Sequence, residues 1–319
     1  MAKLLESKKN QFGQQCFLVG SITSQGWIII WDLNSRRPIL EQDTGLQSCS
    51  WAAIVPVENE DILTFVHSRT EGLFKFTGFP GLLKDPENVF TKIRSVAAHP
   101  GFCKPDIFTS GQNSLIAYPC VADKSTENYC KLLRTDLKEE ATFPPLEPIV
   151  FVIAVEFSNG LKSVLCGSET GSLILFDIQT ARPVGVANIH GDSTDKDTDE
   201  VPFCCDFDQI SSTVLIGSSH RHLYSFNLPS MELAKKVPVT NPGTICVSIR
   251  QDGRLAATGG TDKMVRIFTY PNLKPLAVLS FHSDVLSTLR FFKTPDDGYL
   301  LLSSSQDSAI AVWDIYGKE

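Results

Sequence analysis

The feature that most constrains this chain is a pair of short apolar runs joined by a tight turn, a unit that recurs along its 319 residues. The first copy is Phe17-Leu-Val-Gly-Ser21 followed, past Gly26, by Trp27-Ile-Ile-Ile-Trp31-Asp32. Clear copies return as Ser163-Val-Leu-Cys-Gly-Ser168 with Leu173-Ile-Leu-Phe176-Asp177, and as Thr213-Val-Leu-Ile-Gly-Ser218 with Leu223-Tyr-Ser-Phe226-Asn227. Two more are Leu255-Ala-Ala-Thr-Gly-Gly260 with Val265-Arg-Ile-Phe268, and Leu300-Leu-Leu-Ser-Ser304 with Ile310-Ala-Val-Trp313-Asp314. Degenerate copies ending at Phe76 and Tyr118 fill the gap after the first, which makes seven. Runs of four to eight apolar or β-branched residues bounded by Gly, Asn, Asp and Ser are the pattern of short strands and hairpins.

The aromatic anchors Trp31, Phe76, Tyr118, Phe176, Phe226, Phe268 and Trp313 stand 45, 42, 58, 50, 42 and 45 residues apart, a mean of 47. A period near this length, with room for four short strands per unit, implies an all-β, seven-bladed β-propeller. Long amphipathic helical windows are absent, so an α/β fold is not supported. The expectation is one domain over residues 1–319. Inter-blade loop insertions at 135–148, with Phe143-Pro-Pro-Leu-Glu-Pro148, and at 191–200, with the polar run from Asp192 to Glu200, account for the two longest intervals. Near-continuous apolar strands are understandable if each sheet is packed on both faces.

The chain ends bear on how the ring would close. Five residues follow Trp313-Asp314, and fifteen precede Cys16. At about five residues per strand, these are too few for both the first unit's innermost strand and the last unit's outer strand. Either the last blade has three strands, or the chain begins downstream of its natural start.

Composition excludes several classes. The net charge is −7 and no Lys/Arg block exceeds a pair, so the electrostatic footprint of a nucleic-acid or anionic-membrane binder is missing. The longest apolar run, residues 149–155, is far short of the roughly 20 residues that span a bilayer. The N-terminus lacks the apolar core of a secretion signal, and the expected location is therefore cytoplasm or nucleus. Nine scattered cysteines without a Cys-x-x-Cys pair read as small core residues rather than as a zinc site or redox dithiol.

Catalytic and ligand motifs are weak. Ser219-His220 and His99 have no recognisable nucleophile setting. His220-x-His222 lacks a further ligand at matching spacing and is assigned to a turn and strand edge. Gly259-Gly260 has no following helix or Lys-Ser/Thr, and so reads as turn glycine. The acidic run 192–200 lacks the Gly and the twelfth-position Glu of a calcium loop. It reads as a solvated loop whose Asp195, Asp197, Asp199 and Glu200 are candidate docking residues, with Ser193, Thr194 and Thr198 as modification candidates. No metal or cofactor is expected, and the chain is read as non-enzymatic. Trp27 follows a turn glycine and is a candidate interaction residue, because exposed aromatics near loop ends dominate interfaces. Trp51 and Phe281 lie inside apolar runs, where core packing is expected. Arg36, Arg37, Lys235 and Lys236 are expected on or beside outer strands.

On these residues the chain resembles WD-repeat proteins. Trp31-Asp32 and Trp313-Asp314 match the closing dipeptide fully and Phe176-Asp177 nearly so. The resemblance implies, in the last unit, a hydrogen-bonded structural tetrad of His282, Ser303, Asp307 and Trp313. The sixth unit keeps Thr258 and Asp262, with Phe268 for Trp and Asn241 near the expected His. From Cys204 onward, segments such as Thr240-Asn-Pro-Gly243, Ala257-Thr-Gly-Gly-Thr-Asp262 and Lys274-Pro-Leu-Ala-Val-Leu-Ser-Phe-His-Ser283 are similar to the G protein beta subunit-like protein 1 family and to the related fungal ASTRA-associated WD-repeat protein. That similarity implies an adaptor that works with the Tel2-type cochaperone complex to mature phosphatidylinositol-3-kinase-like (PIKK) protein kinases, monomeric outside its complexes. Other WD-repeat roles remain open: a substrate receptor of a ubiquitin ligase, a G protein beta-like signalling scaffold, although coiled-coil heptads for a gamma subunit are missing, and a propeller enzyme with a channel-lining cluster of titratable groups.

Overall fold

The computed structural model describes residues 2–9, 15–56, 62–79, 91–96, 103–108, 114–121, 128–144, 147–190, 200–294 and 297–315. Among them there is no helix, and every strand belongs to one of seven antiparallel sheets. Sheet 1 comprises β1 (Ala2–Lys9), β2 (Gln15–Ile22), β3 (Trp27–Asp32) and β4 (Arg37–Asp43), and sheet 2 comprises β5 (Cys49–Pro56), β6 (Ile62–Ser68), β7 (Gly72–Phe79) and β8 (Thr91–Val96). Sheet 3 is built from β9 (Asp106–Phe108), β10 (Leu115–Val121), β11 (Asn128–Arg134) and β12 (Glu139–Thr142). Sheet 4 follows with β13 (Ile149–Glu156), β14 (Lys162–Ser168), β15 (Ser172–Asp177) and β16 (Arg182–Asn188), then sheet 5 with β17 (Pro202–Asp208), β18 (Thr213–Ser218), β19 (His222–Asn227) and β20 (Glu232–Pro238). Sheet 6 holds β21 (Thr244–Ile249), β22 (Leu255–Gly260), β23 (Met264–Thr269) and β24 (Pro275–Ser280), and sheet 7 holds β25 (Leu286–Lys293), β26 (Tyr299–Ser305) and β27 (Ile310–Asp314). Seven such meanders in chain order are the blades of a β-propeller.

Strand order explains the anchors. Each falls in the third strand of its sheet except Tyr118, which lies in β10, the second strand of sheet 3. Upstream of Cys16, Ala2–Lys9 form β1, the innermost strand of sheet 1, and among the described residues sheet 7 has three strands. One expectation needs correction. Residues 139–142, inside the 135–148 segment taken as a loop insertion, form the outer strand β12. Its sequence, Glu-Glu-Ala-Thr, carries no apolar alternation because an outer strand is largely solvated, and so it leaves no sequence signal. Of the segment 191–200, only Glu200 lies among the described residues.

The chain divides into two compact units, residues 1–121 with 131–140, and residues 122–130 with 141–319. In the first, Ile28 and Ile30 of β3 pack with Val66, Phe74 and Phe76 of sheet 2. In the second, sheets 4 and 5 share a cluster that includes Phe151, Leu165, Leu175, Val214, Ile216 and Phe226. Sheets 5 and 6 meet at Leu215, Val247, Ala256 and Phe268, and sheets 6 and 7 at Ala257, Ile267, Leu289, Phe291 and Leu301. Side chains buried this way contribute roughly 1.5–3 kcal/mol each, so in these pairs of sheets the neighbouring sheet, rather than the strand's own propensity, supplies most of the stability.

The third-to-fourth strand hairpins of sheets 1, 4 and 5 are capped alike. The carboxylates of Asp32 and Asp177 and the amide of Asn227 accept from the N–H of Asn34, Thr180 and Ser230, each at 3.0 Å. The residue after each turn, Arg36, Ala181 or Met231, sits at φ 53–56°, as does Leu273 at 57° in sheet 6. Asp32 and Asp177 of the closing dipeptides are therefore turn caps. Gly26 is required for a different reason: a Cβ there would lie 2.3 Å from the Leu46 carbonyl oxygen, and its φ is +88°.

Candidate functional site

In sheets 4 to 7 the polar chemistry concentrates where the segment entering the innermost strand meets the turn between the second and third strands. In sheet 7 four residues from three segments converge. His282 Nδ1 lies 3.0 Å from Asp307 Oδ2, His282 Nε2 lies 2.7 Å from Ser303 Oγ, and the Trp313 indole N–H donates to Ser303 Oγ at 2.9 Å. Asp307 also accepts from the N–H groups of Ser283 and Ala309, both at 2.9 Å. Burial opposes its charge, but these two N–H groups and the His282 ring outweigh that and hold the carboxyl below the usual carboxylate range. An ionised Asp307 needs the Nδ1 proton, which leaves Nε2 to accept from Ser303 and Ser303 to accept from Trp313.

Other sheets fill the same place with other groups. In sheet 6, Asn241 Nδ2 donates to Asp262, whose carboxylate also takes Arg266 at 3.1 and 2.5 Å. Burial opposes this charge too, but the hydrogen bonds from Arg266 and Asn241 keep the Asp262 carboxyl low. In sheet 5 the entering residue is Glu200, which accepts from Ser218 Oγ at 2.5 Å and Tyr224 OH at 2.6 Å. The opposing effect of burial is again overcome, by the two hydroxyls and by nearby His222 and Lys236. In sheet 4, Glu147 accepts from Thr170 and, at 3.0 Å, from Ser168, and these bonds lower its pKa. Sheet 1 has the Trp–Ser part alone: Trp31 Nε1 donates to Ser21 Oγ at 2.9 Å.

Several sequence readings change here. Glu200, grouped with the acidic docking run, is only 2% exposed. It is an internal anchor and cannot present its carboxylate to a partner. Asp195, Asp197 and Asp199 lie outside the described residues. Phe281, expected in the core, is 60% exposed and stands edge-on to the rings of His282 and Trp313. Successive residues point to opposite sides of an extended segment, so turning His282 inward turns Phe281 outward. Trp51 is buried, and Trp27 is 39% exposed, with its backbone N–H donating to Thr23 Oγ1 at 3.0 Å. His220 is exposed, whereas His222 Nδ1 faces Glu200 at 3.5 Å, so the two rings do not converge. Among the described residues no three His, Cys, Asp or Glu side chains are arranged to hold a metal ion. The acceptor role of Glu147 and the Trp31–Ser21 pair were not anticipated. For the pair, the ten-residue spacing that Ser303 and Trp313 also show was the available signal.

The seven antiparallel sheets have the architecture of a β-propeller, and WD repeats are matched in its last part. The profile described as "WD domain, G-beta repeat" matches residues 237–269 and 273–314. The chain is 28% identical over 307 residues to "Guanine nucleotide-binding protein subunit beta-like protein 1" of Mus musculus, covering 94% of this chain and 88% of that protein. It is 37% identical over 70 residues to "ASTRA-associated protein 1" of Schizosaccharomyces pombe, covering 22% of this chain and 18% of that protein. The Raptor crystal structure from Chaetomium thermophilum superposes with TM-score 0.70 at 13% identity over 95% of this chain and 27% of that one, a likeness of fold alone.

Proposed function

We propose that this protein is a non-catalytic adaptor, acting in the cytoplasm or nucleus, that joins the Tel2-type cochaperone complex to PIKK-family kinases during their maturation. The observation that carries this reading is the similarity to the mouse beta-like protein over nearly the whole chain, reinforced by the local similarity to the fission-yeast ASTRA-associated protein. The physical chemistry agrees with a binding role, since the sheet-to-sheet clusters within each unit hold its strands in place, while Trp27 and Phe281 leave part of their apolar surface exposed.

Tagged purification of the chain is expected to recover cochaperone subunits together with several kinases of the PIKK class. Depletion is expected to lower those kinases together at unchanged transcript levels. Recovery of a cullin adaptor in their place, with kinase levels unaltered, would replace this reading by that of a ubiquitin-ligase receptor.

A further inference from the structure

Alternation separates the two faces of sheet 1. Ile28 and Ile30 of β3 pack against sheet 2 with Leu40 of β4 beside them, so Trp27 and Ile29 belong to the other face. Residues directly opposite in an antiparallel pair share a face, and Trp27 stands opposite Asp43 and Ile29 opposite Glu41. Thr44 N–H donates to the Gly26 carbonyl at 3.1 Å, while the Trp27 carbonyl accepts from Thr23 N–H at 2.9 Å, away from β4. The pairs Trp27–Asp43 and Ile29–Glu41 are therefore those without ladder bonds, in which side chains approach most closely. Asp43 is the direct neighbour of the indole, and Glu41 is its diagonal neighbour, within reach of a large ring. Trp27, Glu41 and Asp43 are all exposed.

The three residues are held from both sides. The turn before Trp27 is pinned by Thr44 Oγ1, which donates to the Gly26 carbonyl at 2.7 Å, and by Cys49 N–H, which donates to the Ser24 carbonyl at 3.0 Å. Gly45 N–H donates to Asp43 Oδ1 at 2.8 Å and fixes that carboxylate, with Oδ2 left for another donor. Among the described residues no Lys or Arg pairs with Glu41 or Asp43, and none lies over the Trp27 ring.

Elsewhere the chain supplies its aromatics with cations. In sheet 5 the third-strand Tyr224 stands opposite Lys236 of the outer strand, whose Nζ lies 5.2 Å from the ring centroid. Arg250 lies over the ring of Tyr299 at 4.9 Å. The face of an aromatic ring attracts a cation. Sheet 1 keeps a third-strand aromatic but sets carboxylates on the outer strand, and these attract the same charge from outside the chain. Two carboxylates alone are an ordinary solvated edge, and a single ring is an ordinary exposed aromatic. Sharing one face, they are complementary to a group that is flat, able to stack and cationic at its rim, which describes a guanidinium.

We propose that Trp27, Asp43 and Glu41 form a receptor for an arginine side chain of a partner protein. The guanidinium stacks on the indole and turns its N–H groups to the two carboxylates, an arrangement its planar fork fits better than a compact ammonium does. The contact is defined by the geometry of sheet 1 and does not depend on which proteins the propeller joins.

The test uses the full chain and the blocked pentapeptide Gly-Gly-Arg-Gly-Gly. Binding is read at the indole N–H resonance of Trp27, one of four tryptophans, identified by its loss in Trp27→Phe. A saturable shift in the millimolar range is expected, the order for one exposed cation–π contact with two exposed charge pairs. Lysine in place of arginine is expected to weaken binding about threefold, and citrulline, which keeps the shape without the charge, to abolish the saturable shift. These changes are made in the peptide, so folding of the chain is not at issue. Glu41→Gln and Asp43→Asn are each expected to weaken arginine binding by up to about fivefold, with the remaining amide resonances unmoved. Absence of a saturable shift, equal binding of the lysine or citrulline peptide, or unchanged affinity when both carboxylates are neutralised would each overturn the proposal. So would tetramethylammonium binding as tightly as the arginine peptide, since the ligand would then be a quaternary ammonium group.

Discussion

In sheet 7 the segment entering the innermost strand presents an imidazole, His282, whereas in sheet 5 the equivalent segment presents a carboxylate, Glu200. The partners explain the choice. Sheet 7 offers an acceptor, Asp307, on one side and a hydroxyl, Ser303, on the other, and the hydroxyl also receives the Trp313 N–H. A group that donates from one nitrogen and accepts at the other satisfies both, and neutral histidine is such a group. Sheet 5 offers two O–H donors, Ser218 and Tyr224, and an acceptor-only carboxylate is the matching partner. Sheet 6 is a third solution, in which Arg266 is the donor, Asp262 the acceptor and Asn241 a further donor. What recurs from sheet to sheet is a place for a buried polar tie, with its residue types set by local donor–acceptor balance.

The comparison breaks most decisively at Glu200. Glu200→Ala removes two charge-assisted bonds and leaves the buried Tyr224 hydroxyl without its acceptor, while Ser218 Oγ keeps the His222 carbonyl at 3.0 Å. A loss of about 3 kcal/mol is expected in urea denaturation, read as a lower midpoint at constant slope. His282→Ala is expected to cost less, about 2 kcal/mol, because Asp307 keeps its two backbone donors. Equal losses in the two variants would show that the buried charge adds nothing beyond the hydrogen bonds.

Acid titration separates the charge from the geometry. The folded pKa of Glu200 is lowered, so its contribution is fully present above the unfolded carboxylate value, about 4.3, and is lost as pH falls through the folded value. Glu200→Gln is therefore expected to flatten the decline of stability below about pH 4 relative to the parent chain, while Asp307, whose pKa is also lowered, continues to contribute to that decline. A parallel decline in both proteins would remove Glu200 from the acid response.

Two smaller changes sharpen the comparison. Trp313→Phe gives sheet 7 the anchor of sheets 4 to 6 and removes the indole N–H bond to Ser303. A loss of about 1 kcal/mol by thermal or urea unfolding is expected. Ala181→Gly relieves the left-handed backbone of the sheet 4 hairpin at some cost in unfolded-state entropy, for an expected gain of about 0.5 kcal/mol. A loss in the second variant would mean that the Ala181 methyl group packs against something the hairpin needs.

Sheet number and anchor spacing could be read along the chain because strand length, turn residues and apolar runs are local. The set His282, Ser303, Asp307 and Trp313 was legible through the resemblance to WD-repeat proteins, whose pattern the last unit matches in full. Glu200 was not. It closes a run of acidic residues in the sequence, and nothing local distinguishes the carboxylate that turns inward from those before it. Phe281 misled in the opposite direction, since an apolar neighbourhood in sequence does not say which side of an extended segment finds a packing partner. The strand β12 was hidden because outer strands need little apolar alternation once their backbone pairs inward.

By itself the sequence determined the all-β class, the seven-fold repeat and the residues that anchor each unit, because these rest on hydrophobic patterning and turn chemistry within about ten residues. Tertiary structure alone decided which polar groups are buried together and which aromatics stay in solvent. Those outcomes depend on side chains and backbone groups brought together from segments distant in the chain, such as Glu200 with Tyr224 and His282 with Asp307, and burial is a property of that meeting.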